Sequence, residues 1–241
     1  MDWKNRFYAM GVHTIFSCIL LFIALYLVFK VWYPVPLDKA MGVNEIFWII
    51  LSIDLVLGPL LTFVIFNKKK KELKRDLVII IIIQLIAYLY GLYAVAQGRP
   101  VWQVFVVDDI ELVRAVDIQG ENSFYRSSLI RKPRWVAAVY SDDPRVEQQQ
   151  KQAEMFDGIS LATRPETYQA FETRAEQIKA KVQAKEKLFE FNTQENVRQI
   201  LSMYKNAQII GFLPIKGLEE DMTLLIGGNG QPVAIVDLKP W

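Results

Sequence analysis

Hydrophobic and polar positions divide the chain into two unlike halves. Residues 7–29 are 23 positions without a formal charge, residues 77–98 are another 22, and residues 46–67 carry one charge, Asp54. A helix that crosses a bilayer needs about 20 apolar residues, and each stretch is long enough. A central Asp costs roughly 2.5–3.5 kcal/mol on an insertion scale, while each Leu, Ile, Phe or Val returns about 0.3–0.6 kcal/mol. The fifteen such residues between Ile46 and Phe66 outweigh that one carboxylate. The pattern predicts three transmembrane helices at about 12–33, 46–66 and 77–97.

Beyond Pro100 the apolar runs shorten and begin to alternate. Residues 101–107 and 110–116 predict two strands that turn at Asp108-Asp109, and residues 134–140 a third. Asp143-Pro144 reads as an N-cap followed by the first residue of a helix reaching about Phe156. Thr163-Arg164-Pro165-Glu166 has capping-box spacing. The helix it would open carries Tyr168, Phe171, Ala175, Ile178 and Val182 at intervals of three and four. That seam could cover a sheet or receive a partner helix, and the first reading is preferred because the sheet needs a cover. A further helix is predicted at 194–205, and strands at 209–214, 222–226 and 232–238. The last two flank Gly227-Gly228-Asn229-Gly230, a hairpin signal. The fold class predicted is an α+β membrane protein, with a three-helix transmembrane bundle in residues 1–98 and a mostly antiparallel α+β domain in residues 99–241.

Charge orients this plan. The whole chain holds 28 Lys and Arg against 26 Asp and Glu, a net +2 with a mean hydropathy of +0.18. Residues 1–98 hold 10 basic and 6 acidic residues, and the rest hold 18 and 20. The loop 67–76 contains Lys68, Lys69, Lys70, Lys71, Lys74 and Arg75, and the segment before the first span has Lys4 and Arg6. The loop 34–45 has only Lys39. Basic loops stay cytoplasmic. The expected location is therefore the inner membrane of a bacterium, with a cytoplasmic N-terminus and a periplasmic C-terminal domain. Membrane spans on both sides make the lysine run an orientation signal rather than a nucleic-acid patch. Helix one has a long apolar core and no A-x-A site, so it reads as an uncleaved span.

Few residues offer chemistry. One Cys and one His leave no internal disulfide and few routes to metal or imidazole catalysis. His13 reads as an interfacial polar residue and Cys18 as packing. Gly227-Gly228-Asn229-Gly230 is followed by no Lys-Ser/Thr, so it is no phosphate cradle. Asp108-Asp109 and Asp142-Asp143 fit turns and caps better than a cation site. No cofactor, metal site or enzyme activity is expected.

Asp54 stands apart, because an ionisable group within a span is a functional candidate by default. Gln84, Tyr88 and Tyr90 fall at a similar depth. Two readings stay open: an internal cluster that ties helices two and three together, or a dock for a donor group on another transmembrane helix. Gly58-Pro59 lies one turn on, where proline removes an N–H and clashes with the preceding turn. Asp54, Gly58, Pro59, Gln84 and Tyr88 are the candidate partner-binding residues.

Several phrases carry a resemblance. They are Val31-Trp32-Tyr33-Pro34-Val35-Pro36-Leu37, Asp54-Leu55-Val56-Leu57-Gly58-Pro59-Leu60-Leu61-Thr62, Tyr90-Gly91-Leu92-Tyr93, Gly98-Arg99-Pro100-Val101, and the closing Asp237-Leu238-Lys239-Pro240-Trp241. With these the chain resembles the TfpX/TfpZ (FimB-like) family of type IV pilin accessory proteins along nearly its whole length. It departs from the family at Asp108-Asp109, where an Asp-Arg pair is associated with the turn. The resemblance implies an inner-membrane, chaperone-like factor for a cognate type IV major pilin, with no catalytic residues to carry over. From another class, the competing reading is a membrane-anchored periplasmic ligand-binding or sensor module.

Overall fold

The computed structural model describes residues 3–120 and 129–241. Its first part is built from three long helices. α1 (Trp3–Tyr26) winds on as a π-helical segment, Leu27–Trp32. After a one-turn α2 (Leu37–Ala40) come α3 (Val43–Ile65) and α4 (Leu73–Gly98). All three long helices are apolar enough, over enough length, to cross a membrane. They begin three to nine residues before the predicted spans, through polar positions such as Asn5 and Arg75. An apolar run measures what lipid can cover, whereas helix propagation needs only one more backbone bond per residue. Large side chains such as Phe22, Ile83 and Leu89 point outward with more than half their surface uncovered.

α4 leads directly into the second part, a seven-stranded mixed sheet. Its strands are β1 (Pro100–Val106), β2 (Asp109–Arg114), β3 (Arg134–Ala138), β4 (Tyr168–Ala170), β5 (Ile209–Lys216), β6 (Met222–Gly227) and β7 (Pro232–Val236). Their order is β4-β3-β1-β2-β5-β6-β7. The β1–β2, β3–β4, β5–β6 and β6–β7 pairs are antiparallel, and β1–β3 and β2–β5 are parallel. The sheet is thus mostly antiparallel, as expected, and the β6–β7 hairpin turns at Gly227–Gly230, where the turn residues place it. The parallel β2–β5 pair needs a longer crossover, and it carries the helices α5 (Pro144–Phe156), α6 (Ala175–Lys181), α7 (Leu188–Phe191) and α8 (Gln194–Met203). Asp143 caps α5 by accepting from the Arg145 amide at 2.8 Å. Central strands are buried on both faces: Phe105 of β1 packs into one cluster with Phe171, Ile178 and Leu213, and Trp102, Val104 and Val106 into another with Leu161.

The helix expected to open at Thr163 and run through Val182 does not form. That stretch is two 3₁₀ turns (Leu161–Thr163 and Pro165–Thr167), the strand β4, a third 3₁₀ turn (Phe171–Arg174) and then α6. The cap lies at Ser160, whose hydroxyl accepts from the Ala162 amide. Pairing with the open edge of β3 outweighs the local helix signal, matching Tyr168 to Ala138 and Ala170 to Val136. Three of the five expected seam positions stay together: Phe171, Ile178 and Val182 share one cluster, while Tyr168 packs into the other.

Between β1 and β2 the turn falls on Val107-Asp108, not on Asp108-Asp109. Asp109 opens β2, and its carboxylate meets Lys216 Nζ at 2.5 Å. Burial raises its pKa, and the neighbouring Lys216 opposes that shift. Val107 sits at φ +56°, a region that β-branched residues avoid, and is 55% exposed. Val107→Asn should relieve this at roughly 0.5–1 kcal/mol, a gain of about 2–4 °C per kcal/mol for a chain of this size. Thermal melting in detergent checks it, and an unchanged midpoint would mean the left-handed backbone costs nothing here.

Candidate functional site

α1 and α4 each place polar residues one turn apart on the face turned to the others, His13 and Ser17 on one and Gln84 and Tyr88 on the other, and α3 places Asp54 and Thr62 two turns apart there with Gly58 between them. Spacings of four put such residues on one helix face. Their hydrogen bonds can be read in sequence from one carbonyl. The Asp54 backbone oxygen can only accept, and Gln84 Nε2 donates to it at 3.0 Å while also donating to Ser17 Oγ at 3.0 Å. The Gln84 amide is thereby oriented, with Oε1 facing His13 Nε2 at 2.5 Å. A carbonyl oxygen accepts, so that imidazole nitrogen carries the proton. The other nitrogen, Nδ1, lies 2.6 Å from the Thr62 hydroxyl. His13, Ser17, Thr62 and Gln84 are all buried.

Gly58 makes this possible. A Cβ at position 58 would lie 2.2 Å from Gln84 Oε1. Glycine therefore leaves the space that the amide fills. Pro59 continues α3 one residue later, and without an N–H it leaves the Leu55 carbonyl without its helical donor. One turn along α4 from Gln84, Tyr88 donates to the Leu20 carbonyl at 2.9 Å. At Gly91 a Cβ would come within 2.5 Å of Ile50 Cγ2, so α3 and α4 are in close contact there.

The Asp54 side chain is the exception in the seam. Its Oδ2 is enclosed and has no hydrogen-bond partner. It faces a void of about 10 Å³ lined by Ser17, Gln84, Tyr88 and leucines of α1 and α3. The structure thus brings Asp54, Gly58, Gln84 and Tyr88 together inside the bundle, with Pro59 in the α3 backbone beside them. Tyr90, at similar depth, points away and is exposed.

At the far end of the bundle the helices are fastened to the sheet. The Ala40 carbonyl of α2 accepts from the Leu218 and Glu219 amides, both at 2.9 Å. Lys39 Nζ reaches Glu220 at 2.9 Å and Asp237 at 3.0 Å, and these two partners raise its pKa. Trp32 donates to the Leu129 carbonyl at 2.6 Å. The 34–42 connection and the sheet therefore lie at one end, while the lysine-rich loop lies at the other, where Lys68 donates to Asn5 at 2.7 Å.

Residues 1–42 match a family described as fimbrial assembly protein FimB. Over 182 residues the chain is 32% identical to the fimbrial assembly protein of serogroup E1 of Dichelobacter nodosus, covering 70% of this chain and 68% of that protein. The chain belongs to the FimB fimbrial assembly protein family. Another FimB-family relative, the fimbrial assembly protein of serogroups C1 and C2 from the same organism, is 42% identical over 110 residues, 45% of this chain and 84% of that protein. No solved structure matches.

In this FimB-family chain, sequence reasoning missed His13, Ser17 and Thr62. His13 was expected at an interface, yet it lies inside the bundle as the bridge between α3 and α4. The signal was present: two apolar stretches carry polar residues four apart, His13/Ser17 and Gln84/Tyr88, and the third carries Asp54 and Thr62 eight apart, all of which need partners in apolar surroundings. Among the described residues no group of three His, Cys, Asp or Glu side chains is placed to hold a metal ion.

Proposed function

We propose that this chain is a membrane-embedded, non-catalytic factor in type IV fimbrial assembly, acting in a chaperone-like way on one cognate major pilin. The observation that carries the assembly role is its membership of a family of fimbrial assembly proteins. The proposed setting is the bacterial inner membrane, with the lysine-rich end in the cytoplasm and the sheet domain in the periplasm. The basic-loop rule supports that orientation. So does the joining of the 34–42 connection to the sheet at the end away from the lysines. Residues 1–98 are the proposed bundle and 99–241 the proposed periplasmic domain.

A pilin with an apolar helix and an outer head could meet both parts of such a factor. The proposed helix contact centres on Asp54, flanked by Gly58, Pro59, Gln84 and Tyr88. Gln84 has both donors and its acceptor engaged within the bundle, whereas the Asp54 side chain is only partly buried and one of its carboxylate oxygens has no partner. In an apolar surround an unmade carboxylate bond is costly, so a donor on a partner helix would be favoured there.

Asp54→Asn keeps the shape and removes the charge. The expected result is a several-fold drop in surface fimbriae at unchanged abundance of the variant, measured by shearing and immunoblot. Normal fimbriation would remove Asp54 from the mechanism. A ligand-binding or sensor module keeps one observation in its favour, a cavity of about 360 Å³ beside β1 and β3 with Phe105, Tyr140, Arg174 and Lys181 in its lining. On that reading Asp54→Asn leaves fimbriation unchanged.

A further inference from the structure

At the lysine-rich end, α1 and α4 part and leave a cavity of about 650 Å³ between them, within the size range of small-molecule and cofactor sites. Its sides are apolar, with Val12 and Phe16 of α1, Leu77 and Ile81 of α4, and Phe66 at the end of α3. The already bonded His13 and Thr62 lie on its inner wall, and Asn5 and Lys68 form its mouth. From Asn5 to Phe16 the helical rise is about 16 Å, close to one leaflet of a hydrocarbon core about 30 Å thick.

Charge at the mouth selects the occupant. Lys70 is matched by Asp76 and Arg75 by Glu72. Lys68 donates instead to the neutral Asn5 amide, and no carboxylate among the described residues pairs with it. The surrounding loop adds Lys69, Lys71 and Lys74. A cation over a leaflet-deep apolar cleft fits a molecule with an anionic head and a hydrocarbon tail. We propose that this cleft binds a glycerophospholipid with an anionic head group, its phosphate at Lys68 and one acyl chain between α1 and α4. This rests on the membrane-embedded reading above and is independent of any pilin contact. The lipid fills the gap that α1 and α4 leave open, so it acts as a structural ligand of the bundle's cytoplasmic half.

The test uses the purified full chain in neutral detergent, melted with added phosphatidylglycerol, with phosphatidylcholine of the same acyl chains, or with glycerol 3-phosphate. At lipid about 100-fold above its Kd, phosphatidylglycerol should raise the midpoint by roughly 5–10 °C, and the other two by much less. Ala9→Trp, which fills the cleft without touching a cation, should remove more than half of that preference. Lys68→Glu, at an exposed position, should do the same and serves where the tryptophan variant does not fold. Equal shifts with both lipids would overturn the proposal. So would a full shift with glycerol 3-phosphate, which marks a free anion on the lysine loop, or an undiminished preference in both variants. A photocrosslinker at Val12 that captures a protein helix rather than lipid in native membranes would also overturn it. Release of the chain by alkaline carbonate would remove the membrane-embedded reading itself. Retention in the membrane without a phosphatidylglycerol preference removes only the lipid site.

Discussion

Gly58→Ala is expected to destabilise the bundle by about 2–4 kcal/mol, mostly through one side chain it would displace. The new methyl would stand 2.2 Å from Gln84 Oε1 and 2.7 Å from its Cδ. Moving the end of a flexible side chain is ordinarily cheap. This one is held by bonds to His13, Ser17 and the Asp54 carbonyl. Bonds between helices in apolar surroundings average about 0.6 kcal/mol, and overpacking adds about 1–3 kcal/mol. Alanine returns up to about 1 kcal/mol in helix propensity. The measurement is a double-mutant cycle of thermal stability in detergent. In a Gln84→Ala background, Gly58→Ala should be neutral or slightly stabilising, because the displaced group is gone. Equal losses in both backgrounds would mean that the crowding lies elsewhere.

Gly217→Ala should cost more, about 3 kcal/mol or above, because the atoms in the way belong to the backbone. A Cβ there would lie 1.9 Å from the Glu220 carbonyl oxygen and 2.8 Å from that of Ala40. The Ala40 oxygen is the acceptor that fastens α2 to the sheet, and Ala40 itself is fully buried in the sheet's core cluster. The variant must therefore either open the 217–221 turn or push α2 off it. Faster hydrogen exchange at the Leu218 and Glu219 amides, together with a lowered melting midpoint, is the expected readout. Gly11→Ala is the control: no atom lies within 4 Å of its new methyl, and it should melt like the parent or slightly higher. A Gly217→Ala protein with unaltered melting and exchange would show that α2 is held by something other than the Ala40 latch.

That latch is one of several couplings between the bundle and the second part of the chain. Lys39, Ala40 and Trp32 join the bundle to the sheet across three separate contacts. α4 runs into β1 without a linker, with the Arg99 carbonyl already accepting from Ala115. A load on the sheet domain therefore reaches the helices directly. A factor that handles one subunit at two heights would need this rigidity.

Much of this was local, and so open to inspection from the chain alone. Twenty-odd apolar residues in a row, three times over, require long helices whatever they touch. Asp143-Pro144 begins α5 because a carboxylate meets an orphan amide two residues on, and Gly227–Gly230 turns the β6–β7 hairpin because its residues allow it. Asp54, Gly58, Gln84 and Tyr88 announced themselves as polar or helix-weakening residues in apolar helices. Tertiary structure alone decided the rest. The capping-box spacing at Thr163 was a true local preference, but the unpaired edge of β3 took the segment as β4, since long-range backbone pairing outweighed it. His13 looked peripheral in its own helix and became central only when Thr62 and Gln84 arrived from helices 49 and 71 residues away. Periodicity along a chain states which groups need a partner; which partner they find depends on packing between segments that sequence spacing does not encode.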